Sequence, residues 1–255
     1  MLFPVTKIFD AHLHIIDNRF PLVPNHGYVP NEFGCKDYIN RMSNYSVIGG
    51  AIVSGSFQAF DQTYLLDALE RLGPSFVGVT QLPASVSDEE IITLDAAGVR
   101  AMRFNLKRGG SEQVCHLDRI ARRIHELAGW HVELYVDSIE LPGLYNTLVT
   151  LPAVSIDHLG LSKQGYGTLI KLVERGVRVK ATGFGRIDFD VNEALRDLYS
   201  ANPESLMFGT DLPSTRAPRP YADEDITLIV NALGMERAKK VFYENAIRFY
   251  RIHGI

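Results

Sequence analysis

Apolar residues recur along the chain in two alternating patterns. Short runs rich in Val, Ile, Leu and Phe fall at 7–14, 47–54, 75–81, 99–105, 130–136, 153–158, 177–183 and 205–210, each the length of a strand. Several, such as Val47-Ile48-Gly49-Gly50-Ala51-Ile52-Val53, are nearly continuous hydrophobics, as expected of parallel strands covered on both faces. Between the runs the period becomes helical. Leu117, Ile120, Ala121, Ile124, Leu127 and Ala128 make one apolar stripe over 117–128, with Arg and Glu opposite. Ser87-Asp88-Glu89-Glu90 has the form of a capping box ahead of Ile91, Ile92 and Leu94, and Asp190 with Glu193 repeats it. Residues 224–233 and 235–250 read as two closing helices separated by Gly234.

Strands alternating with helices through 255 residues predict an α/β chain: a (β/α)8 TIM barrel of parallel strands ringed by helices. The alternative, a doubly wound open sheet, usually carries a glycine-rich phosphate loop after its first strand. No G-x-G-x-x-G occurs here, and Gly183-Phe184-Gly185 lacks the third glycine. No linker or charge block divides residues 1–255, so a single domain is expected. A loop at 17–37, with Pro21, Pro24, Gly27, Pro30 and Gly34, is the main insertion and would cover the C-terminal mouth as a lid. Net charge is −4, which offers no field for nucleic acid or an anionic membrane surface. The first residues lack the pattern of a signal peptide and no long apolar run is present. Cys35 and Cys115, far apart, read as reduced thiols, so a cytoplasmic location is expected. Oligomeric state is left open.

The candidate chemistry gathers at strand ends. In Phe9-Asp10-Ala11-His12-Leu13-His14 two histidines are spaced i, i+2, which puts both on one face of a strand. His158, in Asp157-His158-Leu159-Gly160, follows the sixth strand, and Asp211, in Gly209-Thr210-Asp211, follows the eighth. A barrel brings these ends to one mouth, where barrel active sites are built. Of the other histidines, His131 opens a strand at the barrel bottom, His125 lies in a helix, His116 and His253 read as surface residues, and His26 lies in the lid loop. No G-x-S-x-G elbow surrounds any serine.

These segments, with Glu244-Asn245-Ala246-Ile247-Arg248-Phe249-Tyr250, resemble the amidohydrolase superfamily (amidohydrolase-2 type) over essentially the full chain. Gly98-Val99-Arg100-Ala101-Met102-Arg103-Phe104-Asn105, Gly129-Trp130-His131-Val132-Glu133-Leu134-Tyr135 and Val179-Lys180-Ala181-Thr182-Gly183-Phe184-Gly185-Arg186 are similar to its 2-pyrone-4,6-dicarboxylate lactonase branch. The resemblance implies a metal-independent hydrolase in which Asp211 activates water while His12, His14 and His158 polarise the carbonyl. It places Arg103, Arg108, Arg186, Tyr28 and Tyr135 on the substrate. Ser56, which follows the second strand, could line the same pocket. The expected ligand is a small carboxylated lactone.

Two features depart from the branch: Leu161 stands where the pattern has arginine, and Ser214 where it often has histidine. Metal-binding relatives commonly place histidine on the fifth strand, and binuclear ones a carboxylated lysine on the fourth. Tyr135 and Arg103 stand there instead, with Lys107 beyond the strand end. His12, His14, His158 and Asp211 could nevertheless hold one Zn or Mn ion. Three alternatives therefore stay open: a mononuclear metal-dependent hydrolase or decarboxylase, a lactone isomerase, and a non-catalytic binding protein.

Overall fold

Strand β1 (Lys7–Leu13) is followed by β2 (Ser46–Val53), β3 (Phe76–Thr80), β4 (Val99–Asn105), β5 (His131–Tyr135), β6 (Val154–Ile156), β7 (Arg178–Ala181) and β8 (Leu206–Phe208). In this computed structural model, which describes residues 7–252 and 254, the strands pair in sequence order and all in parallel. His253 lies outside the described residues. The helices are α1 (Cys35–Arg41), α2 (Thr63–Leu72), α3 (Asp88–Ala96), α4 (Leu117–Ala128), α5 (Leu141–Leu148), α6 (Tyr166–Glu174), α7 (Val191–Ala201), α8 (Glu224–Leu233), α9 (Met235–Lys239) and α10 (Asn245–Phe249). This is the (β/α)8 barrel expected from the patterning.

The capping signals work as read. Ser87 accepts from the Glu90 amide and Asp190 from the Glu193 amide, fixing the starts of α3 and α7. The helix expected over 235–250 is interrupted, because a π turn at Lys240–Glu244 separates α9 from α10. β6, β7 and β8 are shorter than their apolar runs, and the extra residues become the loops that carry the site.

β1 and β8 meet through groups just beyond the regular ladder. The Asp211 amide donates to the His12 carbonyl at 2.7 Å, and the His14 amide to the Leu212 carbonyl at 2.8 Å. Buried Asp10 completes the seam, accepting from the Thr210 amide (2.8 Å), the Thr210 hydroxyl (2.7 Å), the His12 amide (3.2 Å) and the Tyr38 hydroxyl (3.1 Å). The strands approach so closely that a Cβ at Gly209 would lie 2.7 Å from the His12 backbone nitrogen. Glycine is required there.

Two apolar layers hold the barrel. The larger lies between strands and helices, and a smaller inner cluster contains Phe9, Ala11, Val53, Val79, Met207 and Tyr250. β1 carries a register shift between Asp10 and Leu13 against β2. Such an extra residue reverses the in-out alternation. Phe9 and Ala11 can thus pack in the inner cluster while His12 and His14, one phase later, also face the barrel axis. The lid loop runs to Gly34, because α1 begins at Cys35. It is pinned by the Ile16–Phe33 bridge and by a tight Asn25–Tyr28 turn.

Candidate active site

Asp211 is at the centre, 1 % exposed. Its backbone has φ +60° and that of His158 has φ +52°, a left-handed conformation that is uncommon for side-chain-bearing residues and clusters at functional sites. A Cβ at Gly183 would meet His158 Nδ1 at 2.5 Å, so glycine lets the loop after β7 pass against that ring.

The two oxygens of Asp211 differ. Oδ2 accepts from Arg186 Nε at 2.8 Å and pairs with Nη2 at 2.7 Å, while Nη2 also donates to the Thr215 carbonyl. Oδ1 is buried and has no hydrogen-bond partner. Three imidazole Nε2 atoms face it: His14 at 3.6 Å, His12 at 3.8 Å and His158 at 4.0 Å. The His12 ring lies 5.0 Å from that of His14 and 4.9 Å from that of His158. Burial pushes the Asp211 carboxyl up, but Arg186 and His158, then His14 and His12, more than offset this and hold it well below the carboxylate range. Burial lowers His12 to about 4 despite the neighbouring Asp157, and it lowers His158 strongly as well. Both rings are therefore neutral at neutral pH.

Their tautomers follow from the outer contacts. His14 Nδ1 lies 2.7 Å from the Val53 carbonyl, so that nitrogen carries the proton and Nε2 presents a lone pair. His12 Nδ1 lies 3.3 Å from Lys180 Nζ. An ammonium can only donate, so this contact calls for the His12 proton on Nε2, the atom facing the site. Asp157 Oδ1, 3.4 Å from the same nitrogen and otherwise unpartnered, calls for the opposite tautomer, so the His12 ring can offer the site either a proton or a lone pair.

Beneath the mouth lies a buried charged layer that sequence reading left without a role. Lys180 pairs with Glu133, and its Nζ is 3.9 Å from Asp157 Oδ1. Glu133 also meets His131 Nε2 at 3.1 Å and accepts from the Tyr250 hydroxyl. Burial opposes ionisation of Glu133, yet Lys180 and then His131 hold it down to about 2. Among the described residues two groups have metal-ligand spacing: His12, His158 and Asp211, and His12, Glu133 and Asp157. In the second group Lys180 already supplies the cation. The first, with His14 beside it, is chemically suited to one divalent ion, and the unpartnered His12 Nε2 and Asp211 Oδ1 fit such a ligand set.

The other expected residues line the mouth. A small cavity is bounded by His14, Ser56, Arg103, Arg108, Tyr135, His158, Arg186 and Asp211, together with Arg216. Arg103 is buried, and its fork is spent on Asp157 (Nη2 at 2.7 Å, Nε at 3.2 Å) and the Ser54 carbonyl (Nη1 at 2.8 Å). Tyr135 packs its ring beside Arg103 and edge-on to His158. Tyr28 lies under the Arg216 guanidinium, so the lid reaches the site. An outer cavity continues past Leu161, Arg108, Arg186 and Arg216. Ser214 turns away and accepts from the Tyr221 amide. His26 is exposed, and His125 and His116 bond the Trp130 carbonyl and Glu112.

A barrel whose mouth gathers histidines from β1 and β6 around an aspartate from β8 defines a hydrolase of the amidohydrolase class. The amidohydrolase family profile matches residues 9–252, and the chain belongs to that family. It is 26 % identical to the 2-pyrone-4,6-dicarboxylate hydrolase of Comamonas testosteroni, over 94 % of this chain and 89 % of that one. It is 25 % identical to a 4-sulfomuconolactone hydrolase of Hydrogenophaga intermedia, over 95 % and 88 %. In fold it matches the apo structure of Agrobacterium tumefaciens ATU3138 with a TM-score of 0.87 at 22 % identity, covering 99 % of this chain and 98 % of that one. Among the described residues no helix is long and apolar enough to cross a membrane.

Proposed function

We propose that the chain hydrolyses a lactone bearing carboxylate, with Asp211 as the general base. The observation that carries this is the division of labour at Asp211: Arg186 holds Oδ2 and keeps the group ionised, while buried Oδ1 stays unpartnered among three imidazoles. A water between Oδ1 and the His14 Nε2 lone pair would donate both its protons, leaving an oxygen lone pair free for attack. Its proton passes to Oδ1 as the oxygen–carbonyl carbon bond forms. The carbonyl oxygen becomes an oxyanion that accepts from His12 Nε2–H, in the tautomer that the Lys180 contact calls for. Collapse of the tetrahedral intermediate breaks the ring C–O bond, and the proton held on Asp211 leaves with the alkoxide or enolate oxygen. Arg108 and Arg186 at the mouth receive the substrate carboxylate as a charge-assisted pair, with Ser56 and Tyr135 lining the same cavity and Tyr28 stacked on its Arg216.

The mononuclear metal alternative has its own support in the unpartnered His12 Nε2 and Asp211 Oδ1. A divalent ion held by His12, His158 and Asp211 would supply Lewis-acid polarisation of the carbonyl. The test is a panel of neutral and carboxylated lactones assayed before and after exhaustive chelation. The expected outcome is preferential turnover of carboxylated lactones, unchanged by chelation. Loss of activity restored by Zn or Mn would establish the metal route, and equal rates on neutral and anionic lactones would refute the carboxylate anchor.

A further inference from the structure

His12 stands between two aspartates that are held alike. On one side Asp157 gives Oδ2 to Arg103, at 2.7 Å from Nη2 and 3.2 Å from Nε, and its Oδ1 lies 3.4 Å from His12 Nδ1. On the other side Asp211 gives Oδ2 to Arg186, and its Oδ1 lies 3.8 Å from His12 Nε2. Both Oδ1 atoms are buried without a hydrogen-bond partner. A neutral imidazole has one proton to give, so it can serve either aspartate but not both. Lys180 breaks this symmetry. It is fully buried, pairs with Glu133, and brings Nζ to 3.3 Å from His12 Nδ1. A lone pair on Nδ1 accepts from that ammonium, whereas a proton there would set two donors against each other, in an interior that screens the repulsion poorly. Lys180 Nζ also stands 3.9 Å from Asp157 Oδ1, so it offsets the charge that would otherwise draw the proton to Nδ1.

We propose that Lys180 is a positioning residue that acts through His12. By holding the ring proton on Nε2 it keeps His12 a hydrogen-bond donor toward the mouth, and its removal would turn the same atom into a lone pair fit for a metal. The second form is the one that divalent-ion sites use, in which a ligating imidazole gives its outer N–H to a carboxylate. Asp157 Oδ1 is placed to accept it, and His158 and Asp211 already lie at ligand spacing from His12. One buried cation thus separates an oxyanion donor from a divalent-ion site made of the same residues. The catalytic consequence rests on the lactone reading above, while the tautomer and the affinity for metal do not.

Protein labelled with ¹⁵N at histidine and stripped of metal by chelation reports the His12 tautomer through long-range ¹H–¹⁵N correlations, assigned by their loss in His12→Gln. Wild type should show Nε2 protonated and Nδ1 bare. Lys180→Met combined with Glu133→Gln removes the buried cation together with the anion it neutralises, and should move the proton to Nδ1. Lys180→Gln, which still offers Glu133 a donor, reads the same shift should the double variant not fold. Calorimetric titration with Zn is an independent readout. Loss of Lys180 should raise the affinity about 10–100-fold, and Asp157→Asn, which removes the acceptor for Nδ1–H, should keep the wild-type tautomer and lower the affinity by a similar factor. On a carboxylated lactone, kcat should fall in the Lys180 variants with KM little changed. A wild-type ring protonated at Nδ1 would overturn the proposal. So would Lys180 variants that keep the proton on Nε2 or bind Zn no more tightly. If tautomers and affinities behave as expected while wild type opens no lactone, the reaction reading fails and the role of Lys180 stands.

Discussion

At the scale of single residues, function depends on which atom of each side chain is already committed. Asp211 spends Oδ2 on Arg186 and leaves Oδ1 without a hydrogen-bond partner, the atom proposed above as the base. Replacing it by Asn removes the base with little change of shape, and should lower kcat by about 10²–10⁴-fold with an unaltered circular dichroism spectrum. Near-normal turnover in that folded variant would remove Asp211 from the mechanism. The pH profile follows from the same environment. The Asp211 carboxyl is held below its ordinary range and His12 is lowered to about 4, so both keep their neutral-pH protonation states as pH falls through 6. Asp211 and His12 should therefore contribute no acid limb to kcat/KM above about pH 5, and the limb that belongs to His12 should come only near 4, where its ring gains a proton. An acid limb centred near 6.5 would show that an unshifted histidine controls the rate.

At the scale of elements, the site is made by a seam and by loops. Asp10 accepts four hydrogen bonds that join β1, β8 and α1, and truncation would strand buried donors. Asp10→Ala should cost about 2–4 kcal/mol in urea unfolding. Asp10→Asn should retain most of that stability, because its amide nitrogen can face the Thr210 and Tyr38 hydroxyls, which can turn to accept. Equal loss in both variants would mean that the charge of Asp10, rather than its hydrogen bonds, holds the seam. The strand runs, the capped starts of α3 and α7 and the long loop after β1 were legible in the sequence, because period and caps are local signals. The bulge in β1 was not, since a register shift depends on the partner strand. Nor was the role of Asp10, although it sits in the same motif as His12 and His14. A carboxylate inside an apolar run was its available signal. Lys180 and Glu133 were hidden for a related reason: each lies in a different strand, and only barrel closure brings them together.

At the scale of the whole molecule, the barrel converts these local arrangements into one polarised interior. Tyr250 and Glu133 close the bottom, Lys180 stands mid-barrel beneath His12, and Asp211 with the arginines faces the lid. The proposed reaction attacks a carbonyl with water from that arrangement; an isomerase built on the same residues would move the ring closure without consuming any. Arg103 illustrates what long-range packing adds. Its strand position was evident from sequence, yet its engagement by Asp157 was not, because the two residues are far apart in the chain. The most direct test of the central claim is a turnover in water enriched in ¹⁸O, using a carboxylated lactone from the panel. Water attack predicts one ¹⁸O per turnover in the newly formed carboxylate, and the same labelled product formed about 10²–10⁴-fold more slowly by Asp211→Asn. A ring-isomerised lactone as product, with no ¹⁸O incorporated, would contradict hydrolysis.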